Sequence, residues 1–568
     1  MNHPMPNMPL RNVALPRALR YWAELQPDAP AVTFLTFSGK DRLETSVTYR
    51  DLSDRVDAFA AALEVRTAVG DRVALLLGQG IDYLVAFLAC LRVGRIAVPL
   101  YPADGYQSVD RVVSVVRDCA PQVCVVEPGH IESVAELGLG DIHALTPDDA
   151  VAGARPAGEG LPDEDVAYLQ YTSGSTRDPA GVMVTQANFA VGSSQLRTAL
   201  DLLTPSTLVT WLPYFHDMGL LLAAGAGLQS GSHGVHFSPL SFVQQPIRWL
   251  RAISDYRASA TVVPNFGLDL VVDRTREDQR ESLDLSSLRV LANGSEPVRA
   301  ASLRRFNETY TPHGFTPAAH APGFGLAEAT LTVTTVRAGV EPRIVAVSRE
   351  HLLDRTAVPA RTGEEAAELV SNGPPVEQQV RIVDPDTSEV LPEGGVGEVW
   401  VQGENVCAGY FGREDTTRET FCAELEDEEG HWLRTGDLGF LLDGEFFVAG
   451  RIKDLVIIAG RNHYPVDIEA TIMAAVPEAR ANGVAVFAHQ DESPVAVVEL
   501  EHRLLRGLDL EDVRRRVRAA VAHQHDFSLR SVRLVRPGAI PKTTSGKIQR
   551  RASAAMNAKG QFDEKELA

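Results

Sequence analysis

The run Tyr171-Thr-Ser-Gly-Ser-Thr176-Arg-Asp-Pro-Ala-Gly181 crowds small hydroxyl side chains and glycines between two apolar stretches, VAYLQ and VMVT. In a loop between strands, the N–H groups and hydroxyls of Thr172, Ser173, Gly174, Ser175 and Thr176 can converge on one anion and cradle a phosphate. The same residues suit a solvent-exposed Ser/Gly loop, so the segment alone leaves both readings open. It is not a Walker loop, because the GK[ST] ending is absent. Other chemistries are poorly served. The sequence holds no HExxH, GxSxG or GxGxxG, and its 15 histidines do not gather at ligand spacing. A zinc hydrolase or a hydrolytic triad therefore lacks support. Cys90, Cys119, Cys124, Cys407 and Cys422 form no CxxC pair. Such a sparse, odd count fits reduced thiols in the cytoplasm.

The elements that would hold this loop follow from hydrophobic periodicity. Between Asp71 and Phe266, apolar runs such as DRVALLL, RIAVPLY, TLVTWLP and ATVVPNF alternate with helically spaced stretches such as IDYLVAFLACLR, DRVVSVVRDC and FVQQPIRWLRAI. That alternation predicts βαβ units and parallel sheets covered by helices on both faces. Beyond about Arg343 the texture becomes turn-rich and β-branched, and Asp443-Gly444 in GFLLDGEFFVAG is a strong hairpin signal. From Gly450 a compact α+β pattern restarts. The expected protein is α/β, with a large N-terminal domain over 1–449 that includes a β-rich subdomain, and a small α+β domain over 450–568. Positions 351–376 read as a polar surface insertion.

With 45% apolar and 23% charged residues over 568 positions, the chain has a globular composition, which excludes collagen-like and disordered classes. A net charge of −21 argues against a nucleic-acid coat or a basic membrane-surface protein. No stretch approaches the ~20 uninterrupted apolar residues of a spanning helix, so stable membrane insertion is not expected. The stretch MNHPMPNMPLRNVALPRALRYW lacks the apolar centre of a signal peptide, which adds to the cytoplasmic expectation. Charge is uneven, however. Residues 501–568 carry 15 Lys/Arg against 8 Asp/Glu, a basic end module suited to meeting something anionic.

The wording TSGST at a strand end resembles the phosphate loop of the adenylate-forming superfamily, which includes acyl-CoA synthetases, peptide-synthetase adenylation domains, luciferases and fatty acyl-AMP ligases. Further segments match that family in order. Asn293-Gly294-Ser295-Glu296-Pro297 resembles the segment bordering the adenine. Gly323-Phe324-Gly325-Leu326-Ala327-Glu328 resembles the aromatic-Gly-x-x-Glu turn, which implies stacking of Phe324 on adenine and coordination of Mg2+ by Glu328, with Thr172 also at the metal. Leu433-Arg-Thr-Gly-Asp437 resembles the RTGD segment, whose aspartate accepts hydrogen bonds from both ribose hydroxyls. Gly450-Arg451-Ile-Lys453-Asp454 resembles the inter-domain hinge, with Arg451 near ribose and phosphate and Lys453 as pivot. Pro541-Lys-Thr-Thr-Ser-Gly-Lys547-Ile-Gln-Arg550 resembles the catalytic-lysine motif. Six motifs spanning 171 to 550 extend the resemblance over essentially the whole chain.

The finer likeness is to fatty acyl-AMP ligases. Arg177 and Ala180 stand where CoA synthetases usually carry Gly and Lys. Trp211-Leu-Pro-Tyr-Phe-His216-Asp-Met218-Gly219-Leu220 resembles that subfamily's LPxxHDMGL segment, implying His216 as a gate between nucleotide and acyl pocket. Pro264-Asn265-Phe266 resembles its acyl-pocket segment, and 341–376 falls where it carries an extra segment. Departures are conservative: Phe324 replaces the commoner tyrosine, and VSNG at Asn372 replaces SCG. The resemblance implies that ATP and Mg2+ activate a fatty acid to acyl-AMP plus pyrophosphate. The acyl group then passes to the phosphopantetheine thiol of an acyl carrier protein in lipid, polyketide or lipopeptide assembly. An acyl-CoA synthetase using free CoA is the alternative. A catalytically silent nucleotide-binding partner is a third reading, which intact Glu328, Asp437 and Lys547 oppose. HDMGLLLAAGAGLQSG and VVPNFGLDLVV are apolar enough for an alkyl tunnel, though buried helices look the same.

Overall fold

The computed structural model describes residues 10–567 other than 40, 103–108, 137–141, 159–164, 172–178, 203–205, 459–460, 490–492 and 544–545. Two sheets dominate the N-terminal part. The first runs His143–Leu145, Val123–Val126, Arg72–Leu76, Ile96–Pro99, Val166–Tyr171 and Gly181–Thr185, all parallel except the last pair. The second runs Leu331–Thr335, His320–Leu326, Val290–Gly294, Ala260–Pro264, Thr207–Thr210, His233–Phe237, Pro30–Ser38 and Asp41–Thr48, antiparallel only at its two edges. Strands buried on both faces explain the near-continuous apolar runs. The helix Ile81–Val93 is buried over almost its whole length, because it is covered by neighbours on every side. The expected α/β architecture is therefore the observed one.

Two local expectations are corrected. FVQQPIRWLRAI forms two helices, Pro239–Gln244 and Ile247–Asp255, rather than one. Gln245 before Pro246 is extended (φ −143°, ψ 86°), as the proline ring demands of its predecessor. The stretch 351–376 is also less polar than its composition suggests. Leu352, Ala357, Ala367 and Val370 are buried, and Ile344–Ser348 pairs antiparallel with Ala366–Val370 around the short helix Arg349–Leu353.

A five-stranded sheet follows, built on the long strand Glu428–Leu442 and its partner Glu445–Arg451. Asp443 (φ +54°) and Gly444 (φ +78°) turn this hairpin, which needs two left-handed residues to match the strand twist. The strand Glu445–Arg451 crosses the expected boundary at 449/450 and leads into the turn Ile452–Asp454. The C-terminal module has its own core. Ile468, Ile472, Val498, Val517 and Leu534 pack between Ala479–Ala488, Pro494–Leu500 and Ser531–Val535 on one side and Pro465–Ala475 and Leu510–His525 on the other. Among the described residues, no helix is long and apolar enough to cross a membrane.

Candidate active site

The carboxyl ends of the parallel strands converge on a cavity of about 400 Å³, the usual place for a ligand in open α/β sheets. Gln170 and Tyr171 end one strand here; Ala292 to Gly294 end another, followed by Ser295; Gly323 to Leu326 end a third, and Ala327 and Glu328 begin the turn after it. Thr435, Gly436, Arg451, Lys453 and Asp454 close one side, and Lys547 to Arg551 enter from the C-terminal module. Residues 172–178, including Thr172, Ser173, Gly174, Ser175 and Thr176, lie outside the described residues. The described strands on either side, Val166–Tyr171 and Gly181–Thr185, pair antiparallel.

Several walls carry polar atoms without protein partners. Asn293 is 3% exposed, and among the described residues neither its Oδ1 nor its Nδ2 has a hydrogen-bond partner. A buried amide left in that state costs free energy unless a ligand completes it. Ser295, two positions on, adopts φ +72°. Phe324 presents its ring to the cavity and packs on Phe446 at 4.9 Å between centroids. Gly325 is obligatory, because a Cβ there would meet the Leu331 carbonyl at 1.5 Å. Leu326 and Ala327 line the same wall.

Glu328 lines the cavity and accepts a hydrogen bond from the Tyr410 hydroxyl at 2.8 Å. Burial pushes its carboxyl above the usual range, against that hydrogen bond. Among the described residues no group of three or more His, Cys, Asp or Glu could hold a metal. A single cavity-lining carboxylate, that of Glu328, still fits Mg2+, which takes one or two carboxylates and draws its other ligands from substrate phosphates and water. Asp437 is 6% exposed and does not line the cavity directly. Arg451 stands in front of it, donating from Nε at 2.6 Å and from Nη2 at 3.3 Å.

Lys547 is the cation delivered by the other module. Burial pushes its ammonium down to about 8, Arg451 and Arg550 act in the same direction, and Asp437 and Asp454 pull it back. Its loop is tightly held. Thr543 donates its N–H to the Lys547 carbonyl at 2.8 Å and accepts the Lys547 N–H on Oγ1 at 3.0 Å. Behind the loop the fully buried Glu499 accepts the Ile540 N–H at 2.9 Å and pairs with Lys542 at 3.4 Å. Arg550 grips Glu469 through Nε (2.8 Å) and Nη2 (2.7 Å) and reaches Asp454 at 3.1 Å, which fixes the lysine loop to the turn that follows Arg451.

His216 lines the cavity and caps the short helix Asp217–Leu220. Its Nδ1 lies 2.7 Å from Asp217 Oδ1. Burial would raise the Asp217 carboxyl, but His216 and the Met218 amide hold it below the usual range. Met218 faces the cavity; Gly219 does not, and packs so close to the Pro213 carbonyl that a Cβ would sit 2.2 Å away. Asn265 is fully buried, bonded to Ser302 Oγ (3.0 Å) and the Arg299 N–H (3.1 Å), and does not line the cavity. Phe266 and Glu296 lie at the seam between modules instead. Leu222, within the apolar stretch HDMGLLLAAGAGLQSG, lines the cavity from the helical segment Leu221–Ala226; sequence reasoning missed Leu196 and Leu200, which add apolar lining from the end of the helix Gln186–Ala199 and the residue after it. It also missed Tyr410, 82 positions from the carboxylate it touches.

The AMP-binding enzyme family matches residues 19–411, and the AMP domain of Disco-interacting protein 2-like proteins matches 453–566. A Mycobacterium tuberculosis protein named putative fatty-acid–CoA ligase fadD25 is 39% identical over 565 residues, covering 94% of this chain and 96% of its own. The long-chain-fatty-acid–AMP ligase FadD26 of Mycobacterium marinum is 37% identical, covering 96% and 97%. The crystal structure of the fatty acyl-adenylate ligase from L. pneumophila in complex with acyl adenylate and pyrophosphate is 33% identical, with a TM-score of 0.76 over 98% of this chain and 97% of that one.

Proposed function

The chain belongs to the AMP-binding enzymes and is an ATP-dependent fatty acyl-AMP ligase; on that premise we propose how its residues divide the work and which acceptor it serves. A fatty acid carboxylate cannot expel oxide, so it must first be joined to a better leaving group. Its oxygen attacks the α-phosphorus of ATP, the bond to the β-phosphate oxygen breaks, and acyl-AMP and pyrophosphate result. Charge spreads over the phosphoryl oxygens in that transition state, so fixed cations and N–H donors matter more than a general base.

Lys547 supplies the mobile cation, a point charge on a flexible stem placed by the Thr543 and Glu499 contacts. Thr172 to Thr176 donate to the phosphates. Phe324 stacks on the adenine, and the unpaired Asn293 amide, with Gly294 and Ser295, reads its edge. Asp437 takes the ribose hydroxyls, sharing its four acceptor sites with Arg451. Glu328 and Thr172 would hold Mg2+, which neutralises phosphate charge when bound. The acyl chain lies among Leu196, Leu200, Leu222 and Met218, with His216 at its mouth. In the second step the C-terminal module turns about Lys453 and a thiol attacks the acyl carbonyl, releasing AMP. We take that thiol to be the phosphopantetheine of an acyl carrier protein; supporting this, Arg349 of segment 341–376 is bonded to Asp467 of the C-terminal module, a tie that would restrain the turning free CoA needs. The setting is cytoplasmic, in keeping with five free thiols.

The observation that carries this reading is the Lys547 ammonium, brought by the C-terminal module into a cavity walled by Asn293, Phe324 and Glu328. Fatty-acid-dependent exchange of pyrophosphate into ATP tests it. Lys547→Ala should lower exchange by roughly 10²–10³, as loss of one preorganised donor does. Exchange at the unsubstituted rate would remove the lysine's role.

A further inference from the structure

We propose that Phe266, held by Glu296, is the seat on which the lysine loop docks, and that this contact exists to stabilise the adenylating arrangement rather than to bind the acyl chain. The proposal rests on the reading of Lys547 above. Gly546, the residue before that lysine, has φ +83° and lies against the Phe266 ring: a Cβ there would meet Cε1 at 2.8 Å and Cδ1 at 2.9 Å. Only a glycine can approach so closely in that conformation.

The ring itself stands on a firm base. The Phe266 N–H donates to Glu296 Oε1 at 2.7 Å. Its ring meets Trp211 edge-on at 6.0 Å, and Trp211 stacks on Phe242 at 3.8 Å and 5°. Both of those rings are buried. At the next position a Cβ on Gly267 would be 2.5 Å from Val263 Cγ2, so the start of the helix Asn265–Arg274 packs directly on the strand before it. From the opposite side, Asn482 Nδ2 donates to the Gly546 carbonyl at 2.9 Å. The loop is thus tied to its own module through Asn482 and rests on the other module through Phe266. A gap of only about 40 Å³ remains at this seam, bordered by Glu296, Asn482, Lys547 and Arg550.

A contact made in one arrangement and absent in the other shifts the balance between them without touching either reaction's chemistry. The seat should therefore support adenylation, which needs Lys547 inside, and its loss should not slow thiol attack on preformed acyl-AMP. With dodecanoate as substrate, Phe266→Ala and Gly546→Ala should each slow adenylation about ten-fold or more, with unchanged KM for the fatty acid. Transfer from supplied dodecanoyl-AMP to N-acetylcysteamine should be no slower than in the unsubstituted protein for either variant, because the arrangement it uses is favoured by loss of the seat. The Gly546→Ala penalty should shrink in the Phe266→Ala background, because the ring that the new methyl strikes is gone, whereas the backbone strain persists in both. Additive effects, a raised KM for dodecanoate, or equal loss of both half-reactions would each overturn the seat. Lys547→Ala run alongside keeps the two readings apart: normal adenylation there sinks the lysine's role, while additive Phe266 and Gly546 effects beside a crippled Lys547→Ala sink the seat alone.

Discussion

Arg349 and Asp467 form a two-pronged ion pair across the boundary between segment 341–376 and the C-terminal module, with Nε to Oδ2 at 2.8 Å and Nη2 to Oδ1 at 3.0 Å. Both side chains are largely buried, 15% and 18% exposed. Tyr464 adds a hydrogen bond from its hydroxyl to the Leu352 carbonyl at 3.4 Å, and its ring packs in the cluster around Leu352, Val347 and Phe447. A modest tie is enough to bias a two-arrangement equilibrium, since only the difference in stability counts.

Arg349→Ala should therefore raise acyl-CoA formation by about five-fold, the equivalent of ~1 kcal/mol for one ion pair, while adenylation stays level. Acyl-CoA and acyl-AMP quantified from the same reaction check this. A point change is the better probe than deleting 351–376, because deletion would also remove buried Ala357, Ala367 and Val370.

The basic limb of the pH profile should belong to Lys547. Its ammonium, set near 8 by burial, loses its proton as pH rises through that value, so kcat/KM for ATP should fall on the alkaline side. Lys547→Arg should flatten the limb, because a guanidinium stays charged throughout that range. A limb that persists unchanged in the arginine variant assigns it to another group.

Asp437→Asn should move that same limb to lower pH. The aspartate's charge pulls the Lys547 value up while Arg451 pushes it down, so removing the carboxylate leaves Asp454 alone to oppose burial and the two arginines. ATP affinity should drop as well, by about 1.5–3 kcal/mol for a lost charged acceptor. Calorimetry with unchanged ATP affinity would place the ribose elsewhere.

Tyr410→Phe removes the hydroxyl that orients Glu328. Partners of metal-binding carboxylates typically carry roughly 10–100-fold of metal affinity. The Mg2+ concentration for half-maximal pyrophosphate exchange should rise accordingly, with thermal stability in the absence of metal little changed. An unaltered Mg2+ titration would separate Glu328 from the metal.

Local pattern made the architecture readable. DRVALLL and IDYLVAFLACLR fold as the buried strand and helix their composition implies, and Asp443-Gly444 turns the predicted hairpin. What stayed hidden depends on partners far apart in the chain. Arg550 and Glu469 are 81 positions apart, Arg349 and Asp467 are 118 apart, and nothing in either local sequence announces the pairing. Phe266 shows the same limit. Its apolar neighbourhood fits an alkyl tunnel as well as it fits a seam between modules, and only the placement of Gly546 separates the two. The burial of Leu352, Ala367 and Val370 is hidden in the sequence by the charges interspersed with them.

The account's central claim is that this chain adenylates a fatty acid and reserves the product for a carrier-bound thiol. One measurement bears on it most directly: incubate the intact protein with dodecanoate, ATP and Mg2+, divide the mixture between free CoA and a phosphopantetheinylated acyl carrier protein, and quantify all acyl products by mass spectrometry. The account predicts dodecanoyl-AMP in both halves, acylated carrier in one, and almost no dodecanoyl-CoA in the other. Efficient dodecanoyl-CoA formation beside an unloaded carrier would contradict it and make the chain a CoA synthetase.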